Sequence, residues 1–203
     1  MESKAVVCRG NSGIPSVERI VIEPPHRREV LVKLSACGVC HSDLSVVDGT
    51  IPMPRPIVLG HEGAGTIIAV GPEVEELAIG DCVVSSFVSV CGHCGYCRRG
   101  RHSLCDQAAR TIATLPDGTV RTRDVGGDSL NVFCGCGVMS EYATLHIDSL
   151  VKIDPSVPLD RAALLSDRRR PGSVCRPGRG SQRPRNHLIL KEKACHYSTS
   201  PEK

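Results

Sequence analysis

The segment Cys91-Gly-His-Cys94-Gly-Tyr-Cys97, followed by Cys105, sets four thiols in a C-x2-C-x2-C-x7-C pattern. Thiolates this close in sequence can converge on one tetrahedral ion, and a closed shell of four sulfurs is what Zn²⁺ takes in structural sites. Gly92 and Gly95 permit the tight turns that such convergence needs. Arg98, Arg99 and Arg101 offer positive charge against the net negative charge of a zinc held by four thiolates. His93 is read as a bystander, because four sulfurs already complete the shell. Iron–sulfur ligation stays open as a competing metal reading. So do four free, buried cysteines. The chain has twelve cysteines, which in an exported protein would suggest disulfides. The opening Met1-Glu2-Ser3-Lys4 lacks the basic-then-apolar pattern of an export signal, so metal binding is the better reading and a cytoplasmic location is expected.

Around this cluster the body reads as β-rich. Glu29–Leu34 alternates in β-branched style after the turn at Pro24-Pro25. Thr66–Val70, bounded by Gly65 and Gly71-Pro72, and Cys82–Val88, entered at Gly80-Asp81, are two further predicted strands. Tyr142–Leu145 and Leu150–Ile153 are two more. Gly135-Cys-Gly137 reads as a turn. Short strands between Gly/Pro turns point to a barrel or sandwich. With no Trp, three Tyr and two Phe, the core must be built from Val, Ile, Leu and Ala. A helix is predicted from Pro158, carrying Leu159, Ala162, Ala163 and Leu165, since proline suits a first helical turn. No run of about 18 apolar residues exists, so no membrane helix is expected.

Upstream lie Cys37-Gly-Val-Cys40-His41-Ser42-Asp43 and Gly60-His61-Glu62-x2-Gly65-x5-Gly71. A cysteine and a distant histidine, each following a strand, could share a metal. Together these segments resemble the medium-chain, zinc-containing alcohol dehydrogenases. Gly60-His61-Glu62 looks like that family's zinc signature, Cys40 to Asp43 like its first-ligand segment, and Gly80-Asp81-Cys82-Val83 like its turn. Cys91 to Cys105 matches its structural zinc lobe. The long stretch from Asp106 to Ser140 resembles the subgroup with the liver-type and glutathione-dependent formaldehyde dehydrogenases. The likeness covers roughly residues 4–166 and implies a mainly β, GroES-like barrel with short helices.

The resemblance carries roles with it. Cys40 and His61 would ligate a catalytic zinc, as part of the family's Cys₂His set. Glu62 would sit beside the metal, and Asp43 would orient His61 and fix its tautomer. Ser42 would accept the alcohol proton at the start of a relay. His41 would contact the coenzyme pyrophosphate, a weaker partner there than the usual arginine at neutral pH. The distal relay position, often His, is Ser45. Zinc would act as a Lewis acid on an alcohol or aldehyde oxygen, with hydride passing to or from NAD. Whether NAD or NADP is preferred is not readable.

Two departures limit the match. The family's third catalytic ligand is a Cys just after an Ala-Leu-Leu segment; here Ala162-Ala163-Leu164-Leu165-Ser166 is followed by Asp167. A carboxylate can bind zinc, so Asp167 is a candidate, with Cys175 as an alternative; the other reading is that the family sequence simply stops there. No G-x-G-x-x-G between a strand and a helix occurs, so the Rossmann coenzyme domain is not expected within these residues.

Residues 167–203 switch to an Arg/Pro/Gly-rich text. The body, 1–166, holds 15 Lys and Arg against 19 Asp and Glu, and the tail 10 against 3. All net basicity is therefore in the tail, and an acidic body argues against a nucleic-acid surface there. The tail is too polar to offset its ordering entropy. It reads as disordered or as out-of-frame translation after residue 166, with a basic arm for nucleic acid or acidic partners as the rival. The expected domains are thus 1–166, catalytic and GroES-like, and 167–203, a basic tail. The expected chain binds zinc in the lobe, takes small alcohols or aldehydes by resemblance, and has little NAD-dependent activity alone. A non-enzymatic zinc-binding fragment or pseudoenzyme is the alternative.

Overall fold

The computed structural model describes residues 1–10 and 14–166, and the backbone of 189–191. Among these, two antiparallel-dominated sheets enclose the core. The first takes β1 (Glu2–Cys8), β2 (Ser16–Ile22), β4 (Ile57–Val58), β7 (Thr122–Asp124) and β8 (Asn131–Val132), in the order β7-β2-β1-β4-β8. The second takes β3 (Glu29–Gly38), β5 (Glu62–Val70), β6 (Cys82–Ser85), β10 (Leu150–Lys152) and β11 (Ile189–Lys191), in the order β10-β6-β5-β3-β11, with β9 (Tyr142–His146) also on β3. The β-rich expectation holds. Each of the five strands read from sequence is present, although β6 stops at Ser85 rather than Val88. Ser86 still donates its N–H to the carbonyl of Ser149 at 2.8 Å, in register with the β6–β10 pairing, and the ladder ends there.

The longest strand, β3, organises the second sheet. It pairs with β5 along one edge from Val30↔Val70 to Gly38↔Glu62, with irregular steps at Leu31/Val32 and Leu34/Ala36. On its other edge it pairs with β9 and, further on, with the backbone of β11. The apolar residues of both faces of β3 are covered. Val30, Val32 and Leu34 enter a core with Ile67, Val83 and Leu145. Ala36 joins Ala64 and Val84 against Ala162 and Ala163 of helix α3 (Leu159–Ala163). Alanines at that contact let the helix lie close on the sheet. Pro158 stands at the N-cap of α3, one position before the predicted first turn. The core is aliphatic as composition requires: its largest fully buried side chains include Ile20, Ile57, Ile67 and Leu145.

Helix α1 (His41–Val47) follows β3 directly, and sequence periodicity did not announce it. Its start is held by Asp43, whose carboxylate accepts the N–H of Cys40 at 3.0 Å. At its end the guanidinium of Arg55 donates to the carbonyls of Val46 and Val47, groups that a helix terminus leaves without internal partners. A seven-residue helix, marginal by itself, is thus pinned at both ends. No helix among the described residues is long and apolar enough to cross a membrane. Asp167, Cys175 and nearly all of the 167–203 tail lie outside the described residues.

Candidate metal centres

The four lobe cysteines come together. Cys94 caps the one-turn helix α2 (Gly95–Arg98), and its sulfur accepts the N–H of Cys97 at 3.4 Å. Cys91 donates its N–H to the Cys105 sulfur, also at 3.4 Å. The turn between Cys91 and Cys94 runs through Gly92 at φ +77°, a conformation that a side chain would strain. Sulfur–sulfur separations are 3.6 Å for Cys91–Cys105 and 4.0 Å for Cys94–Cys105. A tetrahedral Zn²⁺ with bonds of about 2.3 Å needs edges of about 3.8 Å, so the cluster fits that ion. The thiols are electrostatically opposed. Backbone N–H groups of Cys97 and Asp106 pull Cys94 down to about 6, whereas burial and the neighbouring sulfurs push Cys97 up to about 12. A divalent cation held by Cys91, Cys94, Cys97 and Cys105 would favour the thiolate form of all four. His93 is exposed and turns Nδ1 to the Cys91 carbonyl at 2.8 Å. Arg98, Arg99 and Arg101 are exposed around the lobe, with Arg99 over the Tyr96 ring at 5.3 Å. Gln107 ties the base of the lobe to the barrel by donating to Ser89 and Asp148 at 2.7 and 2.8 Å.

A second cluster joins the end of β3 to the start of β5. Ligand atoms of Cys40, His61 and Glu62 lie within 4.8 Å of one another, with the histidine and glutamate buried. Asp43, 2% exposed, organises both contributing segments. One of its oxygens takes the Cys40 N–H, and the other takes the Gly60 N–H at 3.0 Å. The same oxygen that holds Gly60 stands 3.7 Å from His61 Nδ1. His61 Nδ1 thus faces the Asp43 carboxylate. A soft thiolate, an imidazole and a carboxylate form a donor set suited to zinc.

The walls of this cluster were not read from sequence. Phe87 and Phe133 both stand edge-on to the His61 ring, with centroids 6.0 and 5.2 Å away. They are the only two phenylalanines in the chain, so their scarcity was a usable signal. Cys134 follows Phe133 in the chain: burial, then the charges of Asp43 and Cys40, push its thiol up to about 12. Gly135-Cys-Gly137 is a turn, as expected, with Cys134 itself at φ 55°. Ser42 is half-buried on the first turn of α1, and His41 is exposed beside it. His41 Nδ1 lies 3.3 Å from the Ser45 hydroxyl one turn on, so the two positions singled out for phosphate contact and relay meet each other.

Gly38 makes room for this site. A Cβ there would come within 2.2 Å of Glu62 Oε2. Gly38→Ala is expected to displace the Glu62 carboxylate, costing ~1–3 kcal/mol by overpacking and weakening metal at Cys40 and His61. Urea denaturation and metal titration check this; unchanged values in both would sink it.

Fold and clusters together define a class: a β-barrel domain with a four-thiol lobe and a separate Cys–His–Glu metal cluster. The chain belongs to the alcohol dehydrogenase GroES-like domain family, whose model matches residues 26–155. It is 42% identical over 166 residues to an NDMA-dependent alcohol dehydrogenase of Amycolatopsis methanolica, spanning 81% of this chain and 44% of that one. It is 40% identical over 153 residues to an S-(hydroxymethyl)glutathione dehydrogenase of Aspergillus oryzae, spanning 74% and 40%. Among solved structures, an alcohol dehydrogenase zinc-binding domain protein from Burkholderia ambifaria superposes with a TM-score of 0.77 at 37% identity, covering 82% of this chain and 45% of that one. Benzyl alcohol dehydrogenase from Acinetobacter calcoaceticus gives 0.70 at 33%, covering 82% and 45%. The chain thus spans less than half the length of these relatives.

Proposed function

We propose that this chain is the two-zinc catalytic part of an alcohol dehydrogenase, acting on small alcohols or aldehydes with a nicotinamide coenzyme. The observation that carries the reading is the cluster of Cys40, His61 and Glu62, set against Phe87 and Phe133. A zinc ion there would polarise the substrate oxygen and ease loss of the alcohol proton. Cys40 and His61 hold the ion, and Asp43 keeps the His61 tautomer that leaves Nε2 available. Glu62 stands within reach of the same ion and supplies negative charge beside it. Ser42 takes the alcohol proton, and His41 with Ser45 offers it a route to solvent. Phe133, 4% exposed, shields the centre from water, and Phe87, 42% exposed, gives the substrate carbon an apolar wall. Asp167 remains the proposed third ligand, and His41 the proposed pyrophosphate contact. Cys91, Cys94, Cys97 and Cys105 hold the structural ion.

A second reading, zinc binding without catalysis by these 203 residues, is favoured by the lack of a dinucleotide fingerprint in the sequence. Metal analysis and an NAD titration separate the elements of the proposal. Two zinc ions per chain are expected, one of them lost in Cys40→Ser. One ion in the wild type, unaffected by that substitution, would remove the catalytic site. The 203-residue chain alone is expected to form no NADH from alcohol, and clear alcohol-dependent NADH formation would remove the second reading.

A further inference from the structure

Ser85 is the last residue of β6 and is 3% exposed. The β5–β6 ladder runs from Thr66↔Cys82 to Ala64↔Val84 and goes no further. Where the next pair would stand, a side chain takes over. Gly63 donates its N–H to Ser85 Oγ at 2.7 Å, and the Ser85 hydroxyl donates to the carbonyl of His61 at 2.6 Å. One hydroxyl therefore grips the peptide groups on both sides of Glu62. On the other flank, Asp43 holds the N–H of Gly60. Ser166, at the end of the α3 segment, donates to the backbone carbonyl of Ser85 and lies 3.3 Å from that of His61.

We propose that Ser85 is a positioning residue for the second metal centre: it fixes the backbone from His61 to Gly63, so that imidazole and carboxylate reach one ion together. The inference rests on the reading of Cys40, His61 and Glu62 as a metal site. It differs from the bland role of a buried hydroxyl closing a strand end. A strand-end role would lower general stability, whereas positioning affects one metal centre and spares the other. Residues that orient metal ligands from behind are worth about 10–100-fold in metal affinity.

Cobalt(II) titration of the full chain, followed by visible absorption, is the test. Cys40→Ser identifies the absorption of the second centre. Ser85→Ala is expected to weaken cobalt there by roughly ten-fold and leave the four-sulfur signal unchanged. Ser85→Thr, which keeps the hydroxyl, is expected to hold near wild-type affinity. Urea denaturation of each variant reports folding of the barrel separately from either metal signal, and a barrel that unfolds in Ser85→Ala would also overturn the inference. Unchanged affinity in Ser85→Ala, an equal fall in both variants, or loss of both signals together would overturn the inference. A wild-type chain taking up only the four-sulfur cobalt would instead overturn the reading beneath it.

Discussion

Cys97→Ser is expected to release the lobe zinc and unfold residues 91–105 while the barrel stays folded. From Cys91 to Arg110 the only buried residues are Cys97 and Cys105 themselves. The lobe has no apolar core, so the proposed ion is expected to supply its order. Structural zinc contributes on the order of 10–16 kcal/mol to folding in small zinc-held units at neutral pH, and nothing else in the lobe approaches that. The damage should stop at the lobe's base. Val90 donates its N–H to the Asp148 carbonyl at 2.9 Å, and Gln107 bridges Ser89 and Asp148. These contacts belong to the barrel and do not depend on the sulfur cluster. Hydrogen exchange with metal analysis reads the outcome: protection lost over the lobe, kept in β3 and β5, and one zinc fewer per chain. Retained lobe protection without the zinc would show that the ion is incidental.

That prediction rests on a pattern plainly legible in the sequence, because metal ligands close in the chain need only local turns to meet. The Cys40–His61–Glu62 cluster was legible only through family resemblance. Its members are brought together by the β3–β5 pairing that sets Gly38 opposite Glu62, a long-range register no local pattern encodes. The strands found were those of the second sheet other than β11, and those of the first sheet were not. Ser16–Ile22 opens with an exposed Val17 and the adjacent charges Glu18 and Arg19, which break the alternation, and Ile57–Val58 is too short to show a period. Helix α1 was missed for a related reason. Its seven residues are stabilised by Asp43 and by Arg55, which approaches from outside the helix. Phe87 and Phe133 lie 46 residues apart in sequence, and only the fold sets them on the same ring. Ser85 had no sequence signal at all, since its role depends on where the β5–β6 ladder stops.

Arg121→Ala is expected to be the most destabilising single substitution in the barrel. Arg121 and Glu29 are 3% and 2% exposed. The guanidinium grips both carboxylate oxygens, Nε at 2.9 Å and Nη2 at 2.7 Å. The pair ties the long excursion after the lobe to the first residue of β3, the strand that leads to Cys40. Removing one member leaves Glu29 a buried charge with little more than the His26 N–H, at 2.8 Å, to offset it. Losing one partner of a buried pair costs about 3–5 kcal/mol, whereas replacing both by apolar residues of similar volume is often near neutral. Arg121→Met with Glu29→Leu should therefore recover most of the loss. Asp117, half-exposed on the far side of the guanidinium, gives an independent reading. Burial alone would raise its pKa, but hydrogen bonds from Arg121 and Thr119 outweigh that and hold it at about 2, below the ordinary 3.8. A carboxylate depressed in the folded state adds stability above its unfolded pKa and loses it as pH falls through the folded one. The gap between wild type and Arg121→Ala should thus narrow as pH falls from 3.8 toward 2, while the Asp117 pKa in the variant moves up. Urea denaturation across that range, with carboxyl titration by NMR, measures both. A gap under about 1 kcal/mol at neutral pH, well short of the cost of breaking a buried pair, would mean that water or relaxation replaces the arginine.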